Sequence, residues 1–225
     1  MTDRHSSLAD VIGDPVFPDV DLALRRGRHI DREDGDWYQF LTDALDHLEP
    51  LYRRYGCELV AQADGYFFLR PTGKQFRVRR LSGGEMLVGQ ALALHYLDPS
   101  TLQSGGVITQ EQVLARLSNL ISDAALADAL NPKKKHNSER VIQETIRTKV
   151  SSAIHRLIKL GFIDKVEQDR VRLRASLLRF ADPVRGLEQR DRALERLIAS
   201  GDIVLPESEA GEPDDDDDHH DEDEP

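Results

Sequence analysis

The sequence is short of the residues that most often carry chemistry on their own. Among 225 residues there is one cysteine, one tryptophan and two methionines. A single cysteine excludes an intrachain disulfide and a thiolate metal cluster. Cys57 lies in the apolar stretch CELVAQ, which makes it a small core filler. No apolar run approaches the ~18–20 residues of a membrane helix, so no membrane span is expected. The opening MTDRHSSLADVIGD has neither a basic start nor an apolar centre, so no secretory leader is expected and a cytoplasmic protein is. H-E-x-x-H and G-x-S-x-G are both missing, and the eight histidines are scattered. The glycines of SGGEMLVGQ fall near a phosphate-loop spacing, but Gln90 stands where the lysine is required. No catalytic residue, cofactor or metal is expected, and the chain is read as a non-enzyme.

What is abundant is charge, and it is unevenly placed. The formal net charge is −11, yet 12 of the 41 acids lie from Glu207 onward, where there is no Lys or Arg. The remainder carries 29 acids against 30 bases. Residues 131–180 hold 13 bases and 5 acids, whereas residues 1–64 hold 7 bases and 14 acids. The end, ESEAGEPDDDDDHHDEDEP, has too few apolar side chains to offset its ordering entropy and is expected to be a disordered acidic tail.

Periodicity and punctuation place the elements. A short helix is predicted from Asp19 to about Arg26, stopped by Gly27. Apolar residues from Trp37 to Tyr55 recur at spacings of three and four, predicting a helix over about 33–55 that Pro50 kinks or breaks. CELVAQ, ADG and YFFLRP read as strand, turn, strand. Ser82 with Glu85 and Thr109 with Gln112 are capping boxes opening two further helices, with GGVIT supplying a strand between them. SDAALADAL suggests a short helix, NPKKKHN a break, and Ser138 the cap of a long helix that ends at Gly161. FIDKVE and RVRLRA then form a second hairpin, and a last helix is predicted over 183–199.

This order is that of a winged helix, and it occurs twice. Aligning Gly56 with Gly161 places Asp64 on Asp169 and Phe68 on Leu173. The expected fold is mainly α with small β-hairpins (α+β): tandem winged-helix domains at 1–80 and 81–180, a helical segment at 181–206 and the tail at 207–225. The alternative is one mixed α+β domain with two ordinary hairpins.

The two wings differ in charge. On the helix before Gly161, Ile142, Ile146, Val150, Ala153, Ile154, Leu157 and Leu160 form the core stripe. Arg140, Arg147, His155 and Lys159 fall on the opposite side, with Lys149 and Arg156 flanking; Lys133, Lys134 and Lys135 precede it. Arg170, Arg172 and Arg174 follow on the wing. The candidate DNA-binding residues are Arg140, Arg147, Lys149, Arg156, Lys159, Arg170 and Arg172. Asn and Gln are sparse there, so phosphate contacts are expected in place of base reading. Residues 31–64 carry 9 acids and 3 bases and should repel DNA. Their aromatics, mostly core, include candidates for a protein interface.

Three stretches carry a resemblance: DPVFPDVDLALRRGRHI, DGYFFLRP and VSSAIHRLIKLGF. They resemble the MukE family, the small subunit of the condensin-like MukBEF complex, over about residues 9–203. The resemblance implies homodimers of tandem winged-helix subunits that clasp the kleisin MukF, which bridges the heads of the ATPase MukB. It implies contact with DNA at those heads, a nucleoid-associated location, and no catalytic activity or cofactor of the subunit's own. Lys149 and Arg156 match basic positions of the family; Lys159 stands for an arginine, and Ile158 replaces a basic residue. The competing readings are a free-standing winged-helix transcription regulator, which needs base-reading residues, and an adaptor whose basic helix grips acidic proteins.

Overall fold

The computed structural model describes residues 5–73, 80–130, 139–167 and 169–181. The lysine run 133–135, the Ser138 cap, the helix expected over 183–199 and the acidic tail lie outside the described residues. In chain order the elements are α1 (Leu8–Gly13), α2 (Phe17–Arg25), β1 (Ile30–Asp31), a 3-10 turn (Arg32–Asp34), α3 (Asp36–Asp43), α4 (Leu45–Arg54), β2 (Cys57–Gln62) and β3 (Tyr66–Pro71). Then follow α5 (Gly83–Tyr96), α6 (Pro99–Gln103), β4 (Val107–Thr109), α7 (Gln110–Leu120), α8 (Asp123–Leu130) and α9 (Glu139–Lys159). β5 (Ile163–Lys165), β6 (Arg170–Leu173), a second 3-10 turn (Ala175–Leu177) and α10 (Leu178–Ala181) complete the order. The fold is mainly α with two small antiparallel sheets. Among the described residues no helix is long and apolar enough to cross a membrane.

The two sheets have the same topology. The first runs β1-β3-β2 and the second β4-β6-β5, so each hairpin takes a third strand from earlier in the chain. Both hairpins follow a helix and a glycine with positive φ, +72° at Gly56 and +73° at Gly161. At Gly161 the amides of Gly161 and Phe162 donate to the carbonyls of Ile158 and Leu157, closing α9 with two of its otherwise unpaired acceptors. The first hairpin makes six cross-strand pairs and the second three, and the midpoint of the first lies eight residues past Gly56 but that of the second seven past Gly161. The alignment of Asp64 with Asp169 and Phe68 with Leu173 therefore slips by one residue along the ribbon.

Local sequence accounts for most helix starts. In both capping boxes the hydroxyl accepts the amide three residues on and that residue's side chain accepts the cap's own amide. The glycines of SGGEMLVGQ serve packing: a Cβ at Gly84 would meet Leu130 at 3.0 Å, and one at Gly89 would meet the Phe180 ring at 2.5 Å. One expectation needs correction. The helix over 33–55 breaks at Ala44, between α3 and α4, and Pro50 is accommodated inside α4. The acceptor that Pro50 leaves unpaired is the carbonyl of Asp46, an exposed residue, so solvent can satisfy it.

Each sheet backs onto its own apolar cluster. Phe40, Leu41, Leu48, Tyr52, Leu59 and Phe67 belong to the first. The second centres on Val88, Leu92, Val113, Val150, Leu157 and Phe162. The two halves meet at a seam built around a buried ion cluster. Asp31 caps the 3-10 turn, accepting the Glu33 amide at 3.0 Å, while Asp34 reaches back to the Asp31 amide at 3.0 Å. That box aims two carboxylates at Arg174, which is 2% exposed. Arg174 Nε lies 3.1 Å from both Asp31 oxygens, its Nη2 pairs with Asp31 and Asp34, and its Nη1 reaches Asp164 at 3.2 Å. Arg28 holds Asp34 from the other side at 2.9 Å. Burial works against the Asp34 charge, but Arg174 and Arg28 together keep its carboxyl below the usual range. Arg174, expected on the exposed wing, is thus a buried joint between halves.

Arg174→Met should cost about 3–5 kcal/mol, because it strands the buried Asp31 carboxylate and leaves Asp34 with Arg28 alone. Urea unfolding followed by circular dichroism measures the loss. Adding Asp31→Asn and Asp34→Asn to that background should recover part of it; no recovery would mean that the charges are not what makes the loss large.

Candidate nucleic-acid interface

Helix α9 buries Ile146, Val150, Ala153, Ile154 and Leu157 against its own core, leaving its other side to solvent. Along that side Arg147, Thr148, Ser151, Ser152, His155, Arg156 and Lys159 line an open groove. The hydroxyls of Thr148 and Ser152 donate to the carbonyls four residues back, both at 2.9 Å, and His155 Nδ1 lies 2.8 Å from the Ser151 carbonyl. These small polar residues turn inward on the helix, so the long cations form the rim.

Of the seven candidate residues, the groove brings together Arg147, Arg156 and Lys159. Arg140 and Lys149 are exposed on α9 but do not line it. Arg170 and Arg172 are exposed on β6, where Val171 and Leu173 alternate inward. Two candidates are partly neutralised: Arg147 pairs with Glu111 of α7 at 2.8 Å, and Arg170 with Glu167 at 3.5 Å. The Glu111 pairing crosses 36 residues of chain, so helical spacing gave no sign of it.

Arg156 faces two ways. Besides the α9 groove it lines a cleft of about 610 Å³ at the seam between the halves. The floor is apolar, with Leu24, Leu69, Leu160, Phe162 and Phe180. Arg25 and Arg26 from the end of α2, Arg80, and Arg179 stand around it with Arg156. Repulsion of DNA was expected of residues 31–64; the arginines at this edge of the first half lie outside that stretch. The runs RRGR at 25–28 and RVRR at 77–80 are the sequence sign of that.

His29 sits at the base of the cleft in a defined neutral state. Its backbone amide donates to the Leu160 carbonyl at 2.7 Å, and its Nδ1 lies 3.1 Å from the same oxygen. Arg179 Nη1 lies 2.7 Å from Nε2, which must therefore accept, leaving the proton on Nδ1. The ring packs 4.1 Å from Phe162, centroid to centroid. Burial, and then the Arg179 charge, push its pKa down to about 3. The folded pKa lies below the ordinary 6.5, so this stabilisation is fully present above pH 6.5 and is lost as pH falls toward 3. Between pH 7 and 5 the protein should lose about 2 kcal/mol on account of this residue. Urea unfolding at the two pH values should show that loss reduced in His29→Gln; an unchanged difference would remove His29 as its source.

The family model described as "Condensin complex protein MksE" matches residues 15–185 of this chain. The chain is 38% identical over 211 residues to the chromosome partition protein MukE of Actinobacillus succinogenes, covering 92% of this chain and 85% of that protein. It is 37% identical over 205 residues to the protein of that name from Haemophilus influenzae, covering 89% and 84%. With that of Escherichia coli strain K12 it shares 34% over 200 residues, covering 88% and 85%. The resemblance carried by the three sequence stretches thus extends through both sheets and the seam, and the chain belongs to the MukE/MksE condensin family.

Proposed function

We propose that this chain is a non-catalytic accessory subunit of a MukBEF-type condensin in chromosome partition. Its halves act as two winged-helix domains divided near residues 80 and 81, followed by a helical segment at 181–206 and the tail at 207–225. It forms a homodimer, clasps the kleisin MukF, meets the ATPase MukB largely through that kleisin, and works at the nucleoid. Its own DNA contacts are made to phosphates by the exposed side of α9 and the wing strand β6.

The observation that carries the DNA part is the concentration of cations on one side of α9 and on the outward positions of β6, in a member of a condensin family. Cations on these two elements face solvent together, as a backbone-gripping winged helix requires. The acidic and aromatic residues of the first half suit a protein partner. Asp43 and Asp46 are exposed, and Tyr55 is 47% exposed beneath the Arg25 guanidinium.

Two measurements test this. Co-expression with the cognate kleisin should give a stable complex whose mass contains two copies of this chain; absence of such a complex sinks the subunit assignment. Binding to a duplex of arbitrary sequence should weaken linearly in log salt, and Lys149→Glu with Arg156→Glu should reduce affinity by at least tenfold and flatten the slope. Unchanged affinity and slope would take DNA out of the proposal.

A further inference from the structure

We propose that the DNA-contacting surface crosses the seam, and that Arg26 and Arg80 are phosphate contacts continuous with the α9 face. The inference rests on the DNA reading above and extends it to the half whose formal charge is negative. Arg156 lines both the α9 groove and the seam cleft, so the two share a lip. Arg26 and Arg80 are exposed on the cleft, and among the described residues neither makes an ion pair. Arg25, by contrast, is tied to Asp21 at 2.8 Å and stacks on Tyr55. Arg179 is engaged with His29 and the Phe68 ring. Arg26 and Arg80 are therefore the lip cations whose charge is left for an external anion.

Size supports their acting together. Arg26, Arg80 and Arg156 line one cleft of about 610 Å³, so a single anion within it feels all three charges. Among the described residues no carboxylate lines the cleft to neutralise them. A small anion would meet only part of this row. A phosphate backbone laid along α9 meets Lys159, Arg156 and then the far lip in succession, releasing counterions at each. The acids of the first half do not oppose this at the seam, because Asp31 and Asp34 are turned inward on Arg174 and Arg28.

The test uses the full chain and a fluorescent duplex of arbitrary sequence, titrated from 50 to 200 mM salt. Arg26→Gln with Arg80→Gln should flatten the plot of log affinity against log salt by about 1.8, the loss of two phosphate contacts. Unfolding curves should match the parent, since neither side chain is part of the core. If Lys149→Glu with Arg156→Glu abolishes binding while the Arg26, Arg80 pair leaves slope and affinity unchanged, the extension fails and the α9 reading stands. No binding by the parent chain sinks both. If the pair leaves DNA untouched but loses binding of a peptide spanning residues 207–225, the far lip serves an acidic protein segment and the extension is overturned.

Discussion

The architecture turns on one buried guanidinium. Arg174 is withdrawn from water and surrounded by Asp31, Asp34 and Asp164. Desolvating such a group is expensive, and an apolar joint of similar volume would often be as stable. What the cluster supplies is definition: a planar fork that must meet carboxylates already fixed by a capping box. Asp31 and Asp34 are locked to each other's backbone by bonds that do not involve Arg174. Arg174 in turn sits one residue past the end of β6, so the register of the second sheet sets where its fork lies. A shift of either half by one residue would leave charge buried without a partner. The second joint works the same way in neutral form. The Leu160 carbonyl at the end of α9 takes the His29 amide, and a Cβ at Gly161 would come within 2.2 Å of the His29 carbonyl, so only glycine permits the approach.

These joints change what the charge counts mean. Residues 31–64 carry nine acids, but Asp31 and Asp34 are spent on the seam and never face a ligand. Asp21 likewise serves the interior: it accepts Arg25 and the Tyr52 hydroxyl at 3.0 Å, and burial followed by that carboxylate raises the tyrosine's pKa. In the second half Arg174 is internal, and Arg147 leans on Glu111. The outward field is therefore less polarised between the halves than the sequence suggests. It is organised instead by which side of the seam a residue faces, with arginines gathered at the cleft and acids turned into the joint.

Local rules made much of the fold legible. Capping boxes, hairpin alternation and the glycine stops each depend on residues within a few positions, and Ser82, Thr109 and Gly161 did what their neighbours implied. What local rules miss is anything closed over long separation or too short for a period. Strand β1 is two residues long and exists because Tyr66 and Phe67 offer an edge to it. The break at Ala44 was hidden by Pro50, the stronger punctuation, whose lost hydrogen bond falls on the carbonyl of an exposed residue, Asp46. Arg174 followed the alternation of Arg170 and Arg172 and so looked exposed; its partners lie 140 and 143 residues earlier. The candidate site was legible as a set of cations on α9 and β6. It was not legible as a surface, because the Glu111 pairing and the second lip both depend on tertiary contacts.

The seam also determines how the proposed activities can be coupled. The C-terminal end of α9 is held against the first half by backbone, through Leu160 and His29, while the strand after it is held by Arg174. The helix that presents cations and the half that presents acids and aromatics are thus pinned at two points, one polar and neutral, the other ionic. A partner gripping the first half is then placed at a fixed angle to any polyanion on α9, without a linker to spend in ordering entropy. Rigid placement is what an accessory subunit contributes when the chemistry belongs to another protein. On the proposed reading two ligands would be held in one geometry, and the buried arginine keeps that geometry single.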